Sequence, residues 1–258
     1  MFLASIALAL SVTPSSRSSE FDQSHKLWTE VLSACVRGDL FDYKKLKQDR
    51  SKLDAYLGSL ESVMPEEFAS WRRAQQYAFW IDAYNAYTVK RVVDAYPIDS
   101  IKDLGDDKQS VWAQEFVPLG RLFPEAGDRK LTLDEIENKI LRPRFKDARV
   151  HAAINCASRG CPQIFGEAFI AEKLDKQLDA QVERWLADST RNYFNTRLEK
   201  IAVSKVFDWF RDDFVRDAVS VVGWLATRAP EADREWIATL KDSKLMYMEY
   251  SWKLNDVR

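Results

Sequence analysis

One short segment of the sequence concentrates side chains that could react. His151, Cys156 and Cys161 lie between a predicted short strand at 149–154 and Pro162, which forces a change of direction. They include two of the three cysteines and one of the two histidines in the chain. Because a loop that leaves a rigid element can both hold and expose reactive groups, this segment is the first candidate for a functional site.

Three interpretations of the segment are open from residue types alone. In the first, Cys156 is a nucleophile whose thiolate is stabilised by a neighbouring imidazole or cation, with His151 and Arg159 as local candidates. In the second, Cys156 and Cys161 form a disulfide, either structural or active in thiol–disulfide exchange. In the third, both thiols are small buried groups and His151 is a hydrogen-bonded core residue.

Other kinds of site have little support. The two histidines, His25 and His151, are far apart, and no cysteine pair has zinc-ribbon spacing around a second pair, so we expect no metal. Glycine-rich phosphate loops and Gly-x-Ser-x-Gly are absent, which argues against a nucleotide cofactor and the commonest serine hydrolases. With 38 basic and 40 acidic residues interspersed and a net charge of −2, we expect no nucleic-acid partner.

A long helix is predicted to lie in the interior and to carry two polar side chains. Residues 70–95 are apolar on every face, and Pro97 ends the pattern. Asp82 and Asn85, three positions apart, share one face of this helix. Since a buried polar group without a partner costs about 1–3 kcal/mol, we expect the pair to hydrogen-bond a neighbouring loop, with a direct role at a site as the alternative.

The remaining pattern predicts a helix-rich α+β fold with a small, irregular, mostly antiparallel sheet, in a single globular domain over 20–258. Thr132 and Glu135 predict a capping box that opens a helix to about Leu141, which Pro143 stops. No repeat or linker-like tract divides the chain. Further helices are predicted at 26–36, 53–60, 172–186, 206–214, 218–227 and 231–240, and strands at 115–119, 129–131, 198–203 and 245–252.

Residues 1–19 have the pattern of a signal peptide and linker. An apolar run at 2–12 precedes a polar stretch, and it is shorter than the roughly 20 residues that span a bilayer. No later stretch is long and apolar enough, so we expect no integral membrane protein after signal removal. The sequence thus predicts a periplasmic or secreted protein, with a cytoplasmic location as the alternative because no Lys or Arg precedes the run.

Motifs along most of the chain, from about Leu27 to Asn255, resemble the family called domain of unknown function 547. They are GDLFDY at 38–43, FWIDAYNA at 79–86, LDEIEN at 133–138 with ILR at 140–142, HAAINCASRGCP at 151–162, FDWFRDDF at 207–214 and YSWKLN at 250–255. The family is named for its lack of an assigned activity, and its bacterial members are often exported.

The resemblance implies a pocket whose polar or reactive positions are Asn85, Glu137, Arg142, His151 and Cys156. The chain departs from the family pattern at three positions, with Asp82 in place of Asn, Asn138 in place of a frequent His, and Ser251 in place of Asp. The departures remove a His and an Asp that could serve a thiol, which leaves His151 and Glu137 as its partners.

We therefore expect a cysteine-dependent hydrolase or acyl-transferase acting on a small-molecule or peptide substrate. Cys156 is the predicted nucleophile, His151 the base, and Glu137 or Asn85 the orienting partner. The residues expected to bind substrate or support the site are Asn85, Asp82, Arg142, Asn155, Ser158 and Arg159. The rival hypotheses are a non-enzymatic binding or scaffold domain with a structural disulfide between Cys156 and Cys161, and a thiol–disulfide exchange protein.

Overall fold

The computed structural model describes residues 20–258, and the predicted signal peptide and linker at 1–19 lie outside them. The helices are α1 (Lys26–Cys35), α2 (Tyr43–Gln48), α3 (Ser51–Ser62), α4 (Pro65–Ser70), α5 (Arg73–Ala95), α6 (Leu133–Glu135, continued by a π-helix at Ile136–Phe145), α7 (Val150–Ala153), α8 (Leu174–Ala187), α9 (Val206–Trp209), α10 (Arg211–Ala218), α11 (Val221–Arg228) and α12 (Glu231–Ala238). The strands are β1 (Val36–Arg37), β2 (Leu40–Phe41), β3 (Tyr193–Asn195), β4 (Lys200–Val203) and β5 (Met246–Tyr247). These elements confirm the predicted helix-rich α+β class.

Helix α5 is the central element of the fold. Its side chains are buried almost without interruption from Tyr77 to Val89, as the apolar pattern on all of its faces predicts. At its start the Gln75 side-chain oxygen accepts from the Arg72 N–H at 2.9 Å, and the helix ends at Ala95, just before Pro97. Helices α2 and α3 and the π-helix after α6 pack against it, so most of the N-terminal half of the described chain is organised around α5.

The buried polar pair on α5 bonds to backbone, as predicted. The Asn85 side-chain amide donates to the Ala153 carbonyl oxygen at 3.0 Å, and its oxygen accepts from the Asn155 N–H at 2.8 Å. One turn earlier, an Asp82 carboxylate oxygen accepts from the Phe169 N–H at 3.2 Å. The two side chains therefore fix two separate stretches of chain onto α5.

The strand predicted at 149–154 is wrong, because Val150–Ala153 forms the short helix α7. This helix lies between two hydrophobic clusters: Val150 and Ala153 pack with the cluster around α5, and Ala152 packs with a second cluster around α8 to α12. A short run that is apolar on both sides has no periodicity that distinguishes a buried strand from a buried helix. Packing on both sides selects the helix.

The predicted capping box of α6 is confirmed, but its predicted end is not. The Thr132 side chain accepts from the Glu135 N–H at 3.0 Å, as expected. The helix then continues through Pro143 as a π-helix and ends at Phe145. In an α-helix a proline ring collides with the carbonyl group four residues earlier, whereas a π-helix is wider and bonds five residues apart, which relaxes that conflict.

Strand pairing is sparse and fits a small, mostly antiparallel sheet. Strand β4 pairs antiparallel with β3 and parallel with β5, and β1 pairs antiparallel with β2. The strands predicted at 115–119 and 129–131 reduce to a single bridge between Val117 and Leu131. The strand predicted at 245–252 is confined to β5, because the residues after it run beside the loop at 158–160 instead.

None of the helices within residues 20–258 combines the length and the apolar character that crossing a membrane requires.

The two hydrophobic clusters share α7 as a common neighbour, and the single domain remains a prediction.

Replacing Asn85 with Ala should lower the free energy of unfolding by about 2 kcal/mol or more. The change leaves a buried carbonyl and a buried N–H unpaired, and each such group costs about 1–3 kcal/mol. Urea denaturation followed by far-UV circular dichroism gives the value. The matched control is Thr88→Val on the same helix, because the buried Thr88 hydroxyl has no partner within the described residues. Equal losses for both variants would contradict the assigned role of Asn85.

Candidate functional site

A cavity of about 200 Å³ opens beside the cysteine segment. Four of the predicted site residues line it: Glu137, His151, Cys156 and Cys161. The other lining residues are Tyr84, Trp112, Asp134, Asn138, Ile154, Pro162, Val206, Trp209, Phe210, Tyr250 and Trp252. Six predicted residues do not line it: Asp82, Asn85, Arg142, Asn155, Ser158 and Arg159. The reactive groups therefore meet in one cavity, while the predicted supporting groups lie outside its lining.

The Cys156 thiol is surrounded by hydrogen-bond donors. Cys161 is its neighbouring thiol. The hydroxyl oxygens of Ser158 and Tyr250 lie 3.2 and 3.1 Å from the Cys156 sulfur, and the Ser158 hydroxyl also donates to the Tyr250 oxygen at 2.9 Å. The Cys161 hydrogen bond lowers the pKa of Cys156 most, burial opposes it, and the donors at Ser158 and Tyr250 add to it, giving a pKa of about 6. At neutral pH this sulfur is largely a thiolate, the reactive form.

Cys161 is the buried, weakly acidic member of the pair. The Cys156 N–H donates to the Cys161 sulfur at 3.2 Å, and burial together with the neighbouring Cys156 charge raises the pKa of Cys161 well above its ordinary value. No bond joins the two sulfur atoms, so both cysteines are free thiols and the disulfide considered from the sequence is not formed in this structure. The pair is thus chemically unequal, with one acidic thiol and one that stays protonated.

Asn155 fixes the turn that presents Cys156. Its side-chain amide donates to the Pro162 carbonyl oxygen at 2.7 Å, and its oxygen accepts from the Ala157 N–H at 2.8 Å. The oxygen also accepts from the Asn255 amide at 3.2 Å. Ala157 has a left-handed backbone with φ of 61°, a conformation that a non-glycine residue keeps only when its surroundings enforce it. Asn155 is therefore a supporting residue.

The segment at 250–255 lies directly against the cysteine loop and brings Tyr250 to the sulfur. The Gly160 N–H donates to the Ser251 carbonyl oxygen at 2.8 Å. A Cβ atom on Gly160 would lie 2.8 Å from the Ser251 nitrogen and 2.9 Å from the Tyr250 ring, closer than real Cβ contacts allow. Glycine at this position thus permits the close approach that completes the thiol environment.

Arg159 is not the cation beside the thiol that the sequence suggested. Its guanidinium donates to the backbone carbonyl oxygens of Leu254 at 3.3 Å and Asp256 at 3.1 Å. The side chain therefore fastens the C-terminal segment onto the loop. The stabilisation of the thiolate comes from neutral donors and not from a formal positive charge.

A second hydrogen-bonded group, centred on Asp213, holds the imidazole. His151 Nε2 lies 2.8 Å from Asp213 Oδ2, which also accepts from Arg142 Nε at 2.6 Å, while Oδ1 accepts from Arg216 at 2.8 Å. The His151 ring stacks on Phe210 at 4.2 Å between centroids. These contacts fix the ring position and place Arg142 behind the cavity as an anchor for Asp213.

The protonation of His151 follows from its partner. Burial raises the pKa of Asp213, but hydrogen bonds from His151 and Arg142 outweigh burial and leave that pKa well below its ordinary value. Burial lowers the pKa of His151, partly offset by Asp213. An ionised carboxylate only accepts hydrogen bonds, so Nε2 carries the proton and Nδ1 is left as an unprotonated acceptor.

No hydrogen bond joins His151 to Cys156 among residues 20–258. The imidazole and the sulfur line the same cavity without direct bonding, so the polarisation of the thiol by His151 that the sequence suggested is replaced by the donors at Cys161, Ser158 and Tyr250. The role of His151 as a base remains a prediction.

Glu137 is a protonated carboxyl group at neutral pH. Burial, then the charge of Cys156, raises its pKa to about 8. The Tyr84 hydroxyl lies 3.4 Å from its Oε2 atom. Glu137 does not bond to His151 and so is not the orienting partner, since Asp213 occupies that position. Its protonation state makes it a proton donor facing the cavity.

Sequence analysis missed the roles of Asp213 and Tyr250. Asp213 is 62 positions from His151, and Tyr250 is 94 positions from Cys156, so no local spacing connects them. Both belong to motifs at 207–214 and 250–255 that carried the family resemblance. The acidic and phenolic groups in those motifs were the only signal that could have identified them. In the described part of the chain, no group of three or more His, Cys, Asp or Glu side chains could hold a metal ion.

Comparison with known proteins agrees with the resemblance. Residues 68–186 match the family described as "Protein of unknown function, DUF547". This stretch runs from the end of α4 to the end of α8 and contains Asn85, Glu137, His151, Cys156 and Cys161. The resemblance predicted from the motifs is therefore confirmed over this part of the chain. Neither the curated proteins nor the solved structures gave a match.

The rate of Cys156 alkylation by iodoacetamide should rise with a midpoint near pH 6 and level off above it, because the thiolate is the reacting form. In Cys161→Ala the midpoint should move upward, towards the ordinary value for a thiol near 8.5, since the largest stabilising hydrogen bond is lost. Stopped-time alkylation followed by peptide mass spectrometry measures the midpoint in the native protein and in the variant. Cys35→Ala is the control, and a native midpoint above pH 8 would contradict the assigned thiolate.

Glu137 should make the protein less stable as the pH rises towards alkaline values. A folded pKa of about 8 lies above the unfolded value of roughly 4.3, so the stabilising contribution is complete below pH 4.3 and is lost as the pH rises through 8. Glu137→Gln removes this titration, so the variant should gain stability relative to the native protein between pH 5 and pH 9. Urea midpoints of the native protein and the variant at pH 5 and pH 9 test this prediction. A difference between the two proteins that is the same at both pH values would contradict it.

Proposed function

We propose that the protein is a cysteine-dependent hydrolase or acyl-transferase in which Cys156 is the nucleophile. The observation that carries the proposal is a cavity whose wall contains the Cys156 sulfur, with two hydroxyl oxygens 3.1 and 3.2 Å from it, together with the imidazole of His151 and the carboxyl group of Glu137. A thiolate present at neutral pH needs no base to activate it. The other two groups supply the proton transfers that acyl transfer requires.

In the first step, the Cys156 thiolate attacks the carbonyl carbon of a substrate R–CO–X. The carbon–sulfur bond forms, the carbon–X bond breaks, and Glu137 gives its proton to the leaving group, which departs as HX. A carboxyl group with a pKa of about 8 is an effective acid near neutral pH, because it is protonated and still gives up its proton readily. The products are an acyl thioester on Cys156 and an ionised Glu137.

In the second step, water or another acceptor attacks the thioester. The acceptor gives its proton to Nδ1 of His151, and the Cys156 thiolate leaves as the carbon–sulfur bond breaks. Asp213 stabilises the imidazolium that forms, because its carboxylate already accepts a hydrogen bond from Nε2 at 2.8 Å. Transfer of this proton through solvent to Glu137 restores the starting state.

The donors around the sulfur also fit the tetrahedral intermediates. When Cys156 becomes acylated, its sulfur loses the negative charge that the Ser158 and Tyr250 hydroxyls face at 3.2 and 3.1 Å. We assign the Tyr250 hydroxyl, 3.1 Å from the sulfur, as the donor to the oxyanion that forms on the carbon attached to this sulfur. Fixed donors of this kind stabilise developing charge without having to reorganise.

The geometry of the cysteine pair supports thiol–disulfide exchange as a second candidate. In that reaction the Cys156 thiolate attacks a disulfide, one thiolate leaves, and Cys161 then resolves the mixed disulfide by forming a bond to Cys156 and releasing the second thiol. The contact between the Cys156 N–H and the Cys161 sulfur at 3.2 Å favours this candidate, as does the opposite shift of the two thiol pKa values. Export, proposed from residues 1–19, would place the pair where disulfides persist.

Acylation of Cys156 by N-acetylcysteamine thioesters is the direct test of acyl transfer. Intact-mass spectrometry should show an acyl adduct located on Cys156 and absent from Cys156→Ala. In Asp213→Asn, hydrolysis of the adduct should slow by about 100-fold or more, because the imidazolium loses its partner, while its formation changes less. Cys35→Ala serves as the control.

The variant Cys161→Ala separates the two candidates. Acyl transfer should persist at a reduced rate, since Cys161 contributes to it only by lowering the pKa of Cys156. Thiol–disulfide exchange should be lost, because the resolving thiol is gone. Rapid reduction of a small disulfide by the native protein, together with no acyl adduct, would select thiol–disulfide exchange.

A further inference from the structure

One wall of the cavity is a cluster of aromatic rings. Trp209 lies 4.8 Å from Tyr250 and 5.9 Å from Trp252, and Trp252 lies 5.4 Å from Trp112, measured between ring centroids. Trp209 is 45% exposed although its indole is large and apolar. Because these rings pack against one another, their side chains are held in place. They therefore lose little conformational entropy when a ligand binds in the cavity.

The ionisable side chains at the cavity are acidic, apart from the neutral imidazole of His151. Asp134 lines it at an exposed position, Glu137 faces it in protonated form, and Cys156 contributes a thiolate. Among the described residues, no lysine or arginine lines the cavity. The guanidinium of Arg142 lies near Phe210 but is bound to Asp213 behind the wall.

We propose that this cavity selects substrates whose group next to the reacting carbon is uncharged and apolar, and that it excludes anionic groups. An apolar ring or chain gains contact with the Trp209, Tyr250 and Trp252 faces as water leaves them. An anionic group would meet a thiolate and Asp134 with no cation to pair with, and its desolvation would be uncompensated. The inference rests on Cys156 being the reacting group in the proposed function.

A cationic group is a poorer match than an apolar one. It would be attracted by the thiolate, but it would have to lose its water against walls that are aromatic or aliphatic at most positions. The carboxyl group best placed to pair with it inside the cavity, Glu137, is itself protonated because the surroundings disfavour charge.

Alkylation of Cys156 by four matched reagents tests this selection without requiring turnover. The reagents are iodoacetamide, N-benzyliodoacetamide, iodoacetate and N-(2-aminoethyl)iodoacetamide, each at pH 7, with rates divided by those for free N-acetylcysteine. Relative to iodoacetamide, the benzyl reagent should react about tenfold faster and iodoacetate about tenfold slower, with the cationic reagent below the benzyl one. Iodoacetate or the cationic reagent reacting fastest would overturn the proposal.

The variant Trp209→Ala tests the aromatic wall itself. The ratio of the benzyl-reagent rate to the iodoacetamide rate should fall by about 2- to 10-fold, the range expected for one aromatic contact. Using this ratio cancels any change in thiol reactivity that follows from losing the contact between Trp209 and Tyr250. Trp236→Ala, which removes a partly buried indole that does not line the cavity, is the matched control. Equal losses in the two variants would overturn the role of the wall.

Failure of the selection is distinguishable from failure of the proposed function. If the four reagents show the expected order but no thioester acylates Cys156, the cavity preference stands and acyl transfer is wrong. If thioesters acylate Cys156 and anionic acyl groups react as fast as apolar ones, acyl transfer stands and the selection is wrong.

Discussion

The site depends on one buried amide, the side chain of Asn85 on the central helix. It bonds to the Ala153 carbonyl and the Asn155 N–H, the peptide groups on either side of the point where α7 ends. Since neither peptide group is open to water, the chain can leave α7 only in the direction that satisfies both. That direction places Cys156 at the cavity, and Asn155 then holds the turn that follows it.

Charge at the cavity is controlled mainly by dipoles and burial. Neutral donors hold the Cys156 thiolate, burial keeps Glu137 protonated and His151 uncharged, and the two arginines bind Asp213 behind the wall. A thiolate stabilised by hydrogen bonds remains available to an uncharged electrophile, because no ion pair has to be broken before it reacts. The arrangement suits covalent chemistry on neutral groups.

The sequence predicted the parts of the molecule that local patterns determine. The interior position of α5, the backbone bonds of Asn85 and Asp82, and the capping box at Thr132 follow from spacing and from the cost of unpaired polar groups. The strand predicted at 149–154 is wrong, because packing on both sides decides whether a short apolar run forms a strand or a helix. The pairing of His151 with Asp213, and of Cys156 with Tyr250, depends on tertiary approach, which spacing does not encode.

The contact between Gly160 and residues 250–255 has a consequence for when the thiol becomes reactive. Tyr250 reaches the sulfur only after the last part of the chain has folded back onto the loop. A nascent or truncated chain without that segment therefore carries a less acidic thiol, although Asn85, Cys156 and Cys161 are already present. The full acidity of the Cys156 thiol therefore requires residues 250–255 to pack on the loop.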